Sequence, residues 1–367
     1  MQLPPITRVL LLLSLIIFVP LLIPSFVKAD SNQWTSYPNN PVLGPTSSGW
    51  DSGGTTAPVV LYDGAIYRMW YDGGHATANG IGFANSTDGI HWKKYPGPVL
   101  QPSPAGSWDS SQVKVGAVAW NGTLFLMAYF GANATTFQNG AIGVAGSKDG
   151  ITWVKYSGNP VLTVGAQVLG RPSGLRWQIT YNMWYAAYQP TSPVIRIFYA
   201  TSSNGLIWTQ WAGPVLSPSS NSSAWDSLSV STPSVLRVGS SFGMWYTGLS
   251  QSSNIPQIGY ATSNDGATWN KTSSPALSSG PPGSWDAAGV EQPDVVIGPN
   301  GYMMYYDGFN RTSPPSIGLA LAPQNFSVPE LQVPPVGLLI AVLTCATVCF
   351  AYRRRQHSSF RNLIELL

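Results

Sequence analysis

The chain has 367 residues and a formal net charge of +3, yet only 9% of its residues are charged while 44% are hydrophobic. The positive charge sits in the tails: between Asp30 and Val333 there are 12 Lys and Arg against 14 Asp and Glu, a net of −2, which excludes the basic footprint of a nucleic-acid binder. Both cysteines, Cys345 and Cys349, lie in one C-terminal apolar segment and the three histidines are scattered, so neither a disulfide framework nor a metal site is expected, and no motif calls for a cofactor.

At the N-terminus, Arg8 precedes an apolar run from Val9 to Val27 that ends at Lys28-Ala29. A positive start, an apolar stretch and a small residue describe a secretory signal over residues 1–29. An uncleaved anchor is the alternative, against which Pro20 and Pro24 speak.

From Trp34 onward a unit of about 58 residues recurs. It opens with Trp and a short run to Pro-Val-Leu or its variant: Trp34 to Leu43, Trp92 to Leu100, Trp153 to Leu162, Trp208 to Leu216, Trp269 to Leu277. A Trp-Asp pair follows at Trp50-Asp51, Trp108-Asp109, Trp225-Asp226 and Trp285-Asp286, and is missing from the third unit. Then come Pro58, Gly116, Pro172, Pro233 or Pro293, and an aromatic strand such as Tyr67-Arg68-Met69-Trp70-Tyr71. Four units continue through an Ile-Gly-x-Ala-x-Ser-like strand into an Asp-Gly or Asn-Gly turn ending at Gly89, Gly150, Gly205 or Gly266. Short β-branched and aromatic runs between such turns are strands, and four strands per unit make a propeller blade. The fifth unit stops after Ile317-Gly318-Leu319-Ala320 without its outer strand, whereas the first begins with an extra one near Trp34 to Tyr37. The fold class expected for residues 30–323 is therefore an all-β, five-bladed propeller whose N-terminal strand closes the ring and hides the open edge.

Residues 324–334 read as a stalk. Pro335 to Tyr352 is uncharged, long enough to cross a bilayer, and followed by Arg353, Arg354 and Arg355. Residues 335–352 are thus a transmembrane helix and 353–367 a cytoplasmic tail, which puts the propeller outside the cell membrane. Seven Asn-x-Ser/Thr sequons, at Asn85, Asn121, Asn133, Asn221, Asn270, Asn310 and Asn325, are candidate glycosylation sites on such a surface. A monomer is expected.

Units reading Ile-Gly-x-Ala-x-Ser-x-Asp-Gly-Ile-x-Trp, Pro-Val-Leu, Trp-Asp, Pro-x-Val and Met-Trp-Tyr-x-Gly resemble the five-bladed propellers of the invertase, levansucrase and arabinanase superfamily. That group includes glycoside hydrolase families 32 and 43 and the mannoside phosphorylases of family 130. The resemblance implies a carbohydrate ligand and chemistry on the funnel face where the innermost strands begin, with an acidic residue just before the proline. Here those slots hold Ala57, Val115, Arg171, Thr232 and Gln292, none acidic, so the two carboxylates that glycoside hydrolysis uses are not where the resemblance puts them.

The remaining candidates come from subtracting the repeated acids. Asp51, Asp109, Asp226 and Asp286 and the turn residues Asp88, Asp149 and Asp265 recur and read as structural, through side-chain to backbone hydrogen bonds. Glu291, Asp294 and Asp72 are left as catalytic candidates. Lys114, Arg171, His75 and Asp307 are candidates for substrate binding, because the end of a hairpin's second strand lies beside the start of its first. Carboxylates facing Lys and Arg suit a polar or anionic sugar, or phosphate; the alternative is an internal salt-bridge set filling a narrow channel. Trp120, Trp177 and Trp211 fall outside the repeat and could stack on sugar rings. Three functions stay open: a divergent glycosidase or glycoside phosphorylase, a glycan-binding propeller, or a structural or adhesive envelope protein.

Overall fold

The computed structural model describes residues 34–75, 78–133, 140–163, 167–168, 172–177, 180–189 and 192–323. The segments assigned above to signal, stalk, membrane helix and tail lie outside them. No helix occurs among the described residues, whose strands form five sheets. After β1 (Thr35–Ser36), blade 1 is β2 (Thr55–Tyr62), β3 (Tyr67–His75), β4 (Ala78–Ser86) and β5 (Lys93–Lys94). Blade 2 is β6 (Gln112–Trp120), β7 (Phe125–Ala132), β8 (Ala141–Ser147) and β9 (Val154–Lys155). Blade 3 adds a short strand, β10 (Gln167–Val168), to β11 (Ser173–Trp177), β12 (Thr180–Gln189), β13 (Ser192–Ser202) and β14 (Thr209–Gln210). Blade 4 is β15 (Ser229–Val238), β16 (Ser241–Leu249), β17 (Gln257–Ser263) and β18 (Asn270–Lys271); blade 5 is β19 (Gly289–Gly298), β20 (Gly301–Phe309) and β21 (Ser316–Pro323).

Closure occurs as the repeat pattern requires. Strand β1 pairs antiparallel with β21, Thr35 opposite Leu321 and Ser36 opposite Ala320, and so supplies the outer strand of blade 5. The cores lie between blades: Trp70 packs among Val113, Val115, Phe125 and Met127 of the next blade, and Trp184 among Val230, Val235 and Phe242.

The Trp-Asp pair latches blades 1, 2, 4 and 5 internally. Trp50, Trp108, Trp225 and Trp285 lie on Tyr71, Tyr129, Tyr246 and Tyr306 with centroids 5.7–5.9 Å apart. Two glycines make room: a Cβ at Gly73 would come within 2.5 Å of Trp50, and one at Gly82 within 2.4 Å of Tyr71. The aspartates hold side chains rather than the expected backbone, and of the four only Asp51 also takes a backbone amide, that of Thr46. Asp109 accepts from Lys155 Nζ at 2.6 Å and Tyr129 Oη at 3.1 Å, and Asp226 from Lys271 at 2.7 Å and Tyr246 at 3.1 Å. Asp51 is bound likewise to Lys94 and Tyr71; it is desolvated, but Lys94 and Thr46 hold its carboxyl below the ordinary range. Blade 3 has no Trp-Asp pair, and of its partners only the tyrosine is kept, as Tyr185: Gln210 stands for the lysine, Ala187 and Phe198 for the two glycines, and Phe198 fills the vacated space by stacking on Tyr185 at 6.0 Å.

In the turns only the glycine is left-handed, at φ of 75–78°. The rest of each turn is held by side chains: Ser147 Oγ accepts from the Asp149 and Gly150 amides, and Asp149 Oδ1 from Ile151 and Thr152. Turn and blade then join across the ring, since Trp70 Nε1 donates to Gly150 O at 2.8 Å, Trp184 Nε1 to Gly266 O at 2.7 Å and Tyr305 Oη to Gly89 O at 2.8 Å.

Candidate functional site

The innermost strands begin at one end of the ring, the rim, and run to the opposite end, the base. In four of them the register slips near the start, between Thr56 and Val59, Val115 and Ala117, Ser231 and Ser234, and Glu291 and Asp294. At three slips a non-glycine residue before proline is left-handed: Ala57 (φ 62°), Thr232 (φ 43°) and Gln292 (φ 54°). Such backbone costs on the order of 1–3 kcal/mol per residue and clusters at functional sites.

What holds this backbone is the preceding blade. Asp307 Oδ1 accepts the Ala57 amide at 2.7 Å, Asp72 Oδ1 the Val115 amide at 2.7 Å, and Thr247 Oγ1 the Gln292 amide at 2.8 Å. One level nearer the base a second set of ties runs the same way: Asp294 Oδ2 accepts from Val60, Ser234 Oγ from Val295 and Ser173 Oγ from Val235, at 2.7–3.1 Å. Asp72, Asp294 and Asp307 are thus blade-to-blade ties. Asp307 is 0% exposed and Asp72 3%, so both are turned into the wall. Thr247 does the work of Asp72 and Asp307 from the same column of the repeat; comparing that column across units would have found it.

Glu291 stands directly across from Asp307 but remains partly open at the rim. Loss of water around it raises its carboxyl above the ordinary glutamate range, against a smaller lowering by its hydrogen bond with Gln292. Lys114, also partly open, puts Nζ 4.0 Å from Asp72 Oδ2. Below lies a channel cavity of about 270 Å³, lined by Val59, Leu61, Ala117, Ser173, Ser234 and Asp294 among others. Arg171 lies outside the described residues; His75 ends β3 at the rim opposite Ala78, and its side chain is not described, nor is that of Trp177.

The other two tryptophans lie away from the rim. Trp120 ends β6 at the base, six residues or about 20 Å from Lys114, with its ring 4.3 Å from that of Phe125. Trp211 is on the outer edge, its amide bonded to Tyr199 O. The described site therefore offers the Glu291 carboxyl, biased toward its protonated form, the partly open Asp294 in the channel below, Lys114, and backbone and hydroxyl groups at the mouth of a funnel. No group of His, Cys, Asp and Glu among the described residues could hold a metal ion.

No family profile matches the chain. Two curated relatives, both uncharacterized proteins of Mycobacterium tuberculosis strains, are 27% identical over 289 residues, covering 74% of this chain and 93% of theirs. Among solved structures, a glycosyl hydrolase from Bacteroides ovatus superposes with a TM-score of 0.62 at 17% identity, over 78% of this chain and 93% of that one. A protein from work on GH130 mannoside phosphorylases and glycoside hydrolases that target β-1,2 mannosidic linkages in Candida mannan gives 0.62 at 18%, over 82% and 95%. A thermostable family-43 glycoside hydrolase gives 0.58 at 19%, over 72% and 88%. The chain has the five-bladed propeller fold of these glycosidases.

The raised carboxyl gives the rim a pH signature of its own. A group whose folded pKa is raised contributes stability at low pH, and that contribution is lost as pH rises through the folded value. Glu291→Gln should therefore melt higher than the parent at pH 7, with the gap closing as the pH falls through the raised folded value toward about 4. Parallel melting curves across that range would mean that Glu291 is solvated like any surface glutamate.

Proposed function

We propose that this protein is a glycan-recognising propeller displayed outside a membrane, with its funnel rim as the sugar site. The observation that carries this is Glu291 beside the funnel mouth, a desolvated carboxyl on a fold otherwise seen here in glycoside hydrolases. Raised carboxyls serve as general acids, and Lys114 is placed to receive an anionic sugar substituent or a phosphate. With Asp72 and Asp307 engaged between blades, hydrolysis by two flanking carboxylates is not supported by the described residues. Phosphate as the attacking group would need only the one acid, which makes phosphorolysis the catalytic form of this proposal. Residues 1–29 would direct export, 324–334 form a stalk, 335–352 anchor a monomer and 353–367 remain cytoplasmic. Asn85, Asn133 and Asn270 are exposed and are the better placed of the sequons; Asn121, Asn221 and Asn310 turn their Oδ1 onto their own loops, and Asn325 lies outside the described residues.

The test uses the full chain in its membrane, with labelled neutral and anionic glycans applied to intact cells, with and without phosphate. Binding should disappear after external protease. Lys114→Ala should weaken it by about 1.5–3 kcal/mol, as for a hydrogen bond to a charged group. If turnover is found, Glu291→Gln should abolish it. Binding and turnover unchanged in both variants would move function away from the rim and favour a structural or adhesive envelope role.

A further inference from the structure

In blades 1, 2 and 4 the latch is an ammonium held by a recurring set of acceptors. Lys155 Nζ donates to Asp109 Oδ2 at 2.6 Å, Gln101 O at 2.7 Å and Ser103 Oγ at 2.9 Å. Lys271 Nζ donates to Asp226 Oδ2 at 2.7 Å, Ser217 O at 2.9 Å and Ser219 Oγ at 3.0 Å. Lys94 takes Asp51 and Gly44 O in the same way. The ammonium also lies over a tyrosine ring, 5.4 Å from that of Tyr71 and 5.5 Å from that of Tyr129, a favourable contact for a cation.

Blade 5 keeps the acceptors and changes the donor. Its Trp285 still lies on Tyr306, but its outer strand is β1, and two residues after Trp34 the lysine column reads Ser36. Asp286 is only 6% exposed, and among the described residues no Lys, Arg or His forms an ion pair with it. Ser278 follows Leu277 as Gln101 follows Leu100 and Ser217 follows Leu216, so its carbonyl has the place of theirs. Gly280 stands where Ser103 and Ser219 supply a hydroxyl, and Ser284 returns that hydroxyl. Ser284 Oγ lies 2.4 Å from where a Cβ on Gly280 would be, and donates to Asp286 Oδ1 at 2.8 Å. The Tyr306 hydroxyl hydrogen-bonds with Ser36, Asp286 and Asn40, which fixes the ring beside the carboxylate. Ser36 is exposed, so water reaches the side from which the lysines enter in the other blades.

We propose that blade 5 binds a monovalent cation of ammonium size, potassium or ammonium itself, between Asp286, Ser284, the Ser278 carbonyl and the Tyr306 ring. One buried carboxylate among neutral oxygens balances a single positive charge. A divalent ion asks for more carboxylates, and no group of them stands here. The ion ties the loop before β19 to β20 and to the closing strand β1, so it strengthens the ring where its two ends meet. The inference is independent of the sugar site at the rim. Its test is thermal melting of the full-length chain in detergent, in potassium, ammonium and choline chloride at equal ionic strength. Potassium and ammonium should each raise the melting temperature saturably over choline, which is too bulky to enter. The rise should be about 2–4 °C once the salt stands near ten times its Kd, where the folded state gains about tenfold. Ser36→Lys builds the ammonium into the chain; it should melt in choline as the parent does in potassium, and respond to neither salt. Should that variant fail to fold, Asp286→Asn, which removes the charge, should also be indifferent to the choice of salt. One melting curve for the parent in all three salts, or an undiminished response in either variant, would overturn the assignment.

Discussion

A chain that starts at Gly44 should fail to form a stable propeller, whereas one that ends after Pro323 should fold. The first 10 described residues supply most of what closes blade 5. Trp34 is buried and meets Trp245 edge-on at 5.9 Å. The Asn40 amide accepts from the Leu319 N–H at 2.8 Å and donates to its carbonyl at 2.9 Å, and Leu43 bridges to Ile317. Loss of one buried Trp side chain costs about 3–5 kcal/mol. With the strand and Asn40 also gone, the loss approaches the 5–15 kcal/mol or so that holds a typical domain together. The uncovered β21 would also be an exposed edge prone to pairing with other chains. Thermal melting and size-exclusion chromatography of the two truncations would decide the matter, and equal melting temperatures would refute the closure argument.

Asp226→Ala should destabilise the fold by about 3–5 kcal/mol, because it leaves Lys271 as a largely buried cation without its counter-ion. Tyr246 Oη loses the same acceptor, in surroundings where burial and the Asp226 charge already raise its pKa. Adding Lys271→Met should recover much of the loss, since replacing both members of a buried pair by apolar groups is often neutral. Blade 3 is a natural precedent, having lost the aspartate and carrying Gln210 in place of lysine. Urea denaturation of parent, single and double variants measures both effects; a single variant within about 1 kcal/mol of the parent would show the pair to be solvated and dispensable.

The blade count and the ring closure were legible because both are written in periodicity: a Trp every 58 residues or so, a fifth unit one strand short, and a spare strand at Trp34. The lysine latch was missed, because the aspartates were expected to bond backbone; its signal is the column Lys94, Lys155, Gln210 and Lys271 two residues after each turn Trp, set beside the absence of Trp-Asp from the third unit. The rim was only partly legible. Asp72 and Asp307 occur at the hairpin ends where the pattern puts them at the funnel. Whether they face the funnel or the next blade is decided by a one-residue slip in the neighbouring strand, and a slip leaves no mark on a pattern of alternating residues. Glu291 and Lys114 could be placed at the rim from strand order alone, because they precede the slip.

The pairing of β1 with β21 also fixes where the chain enters and leaves the ring. Strand β21 starts level with Gly308 at the rim and ends with Pro323 opposite Gly301 at the base, and Thr35 lies beside Leu321 near the same end. Both flanking segments therefore attach at one pole, and the mouth with Glu291 and Lys114 opens at the other. An anchor joined through Pro323 would hold the propeller base-down, with its mouth toward the medium and free of the surface that carries it.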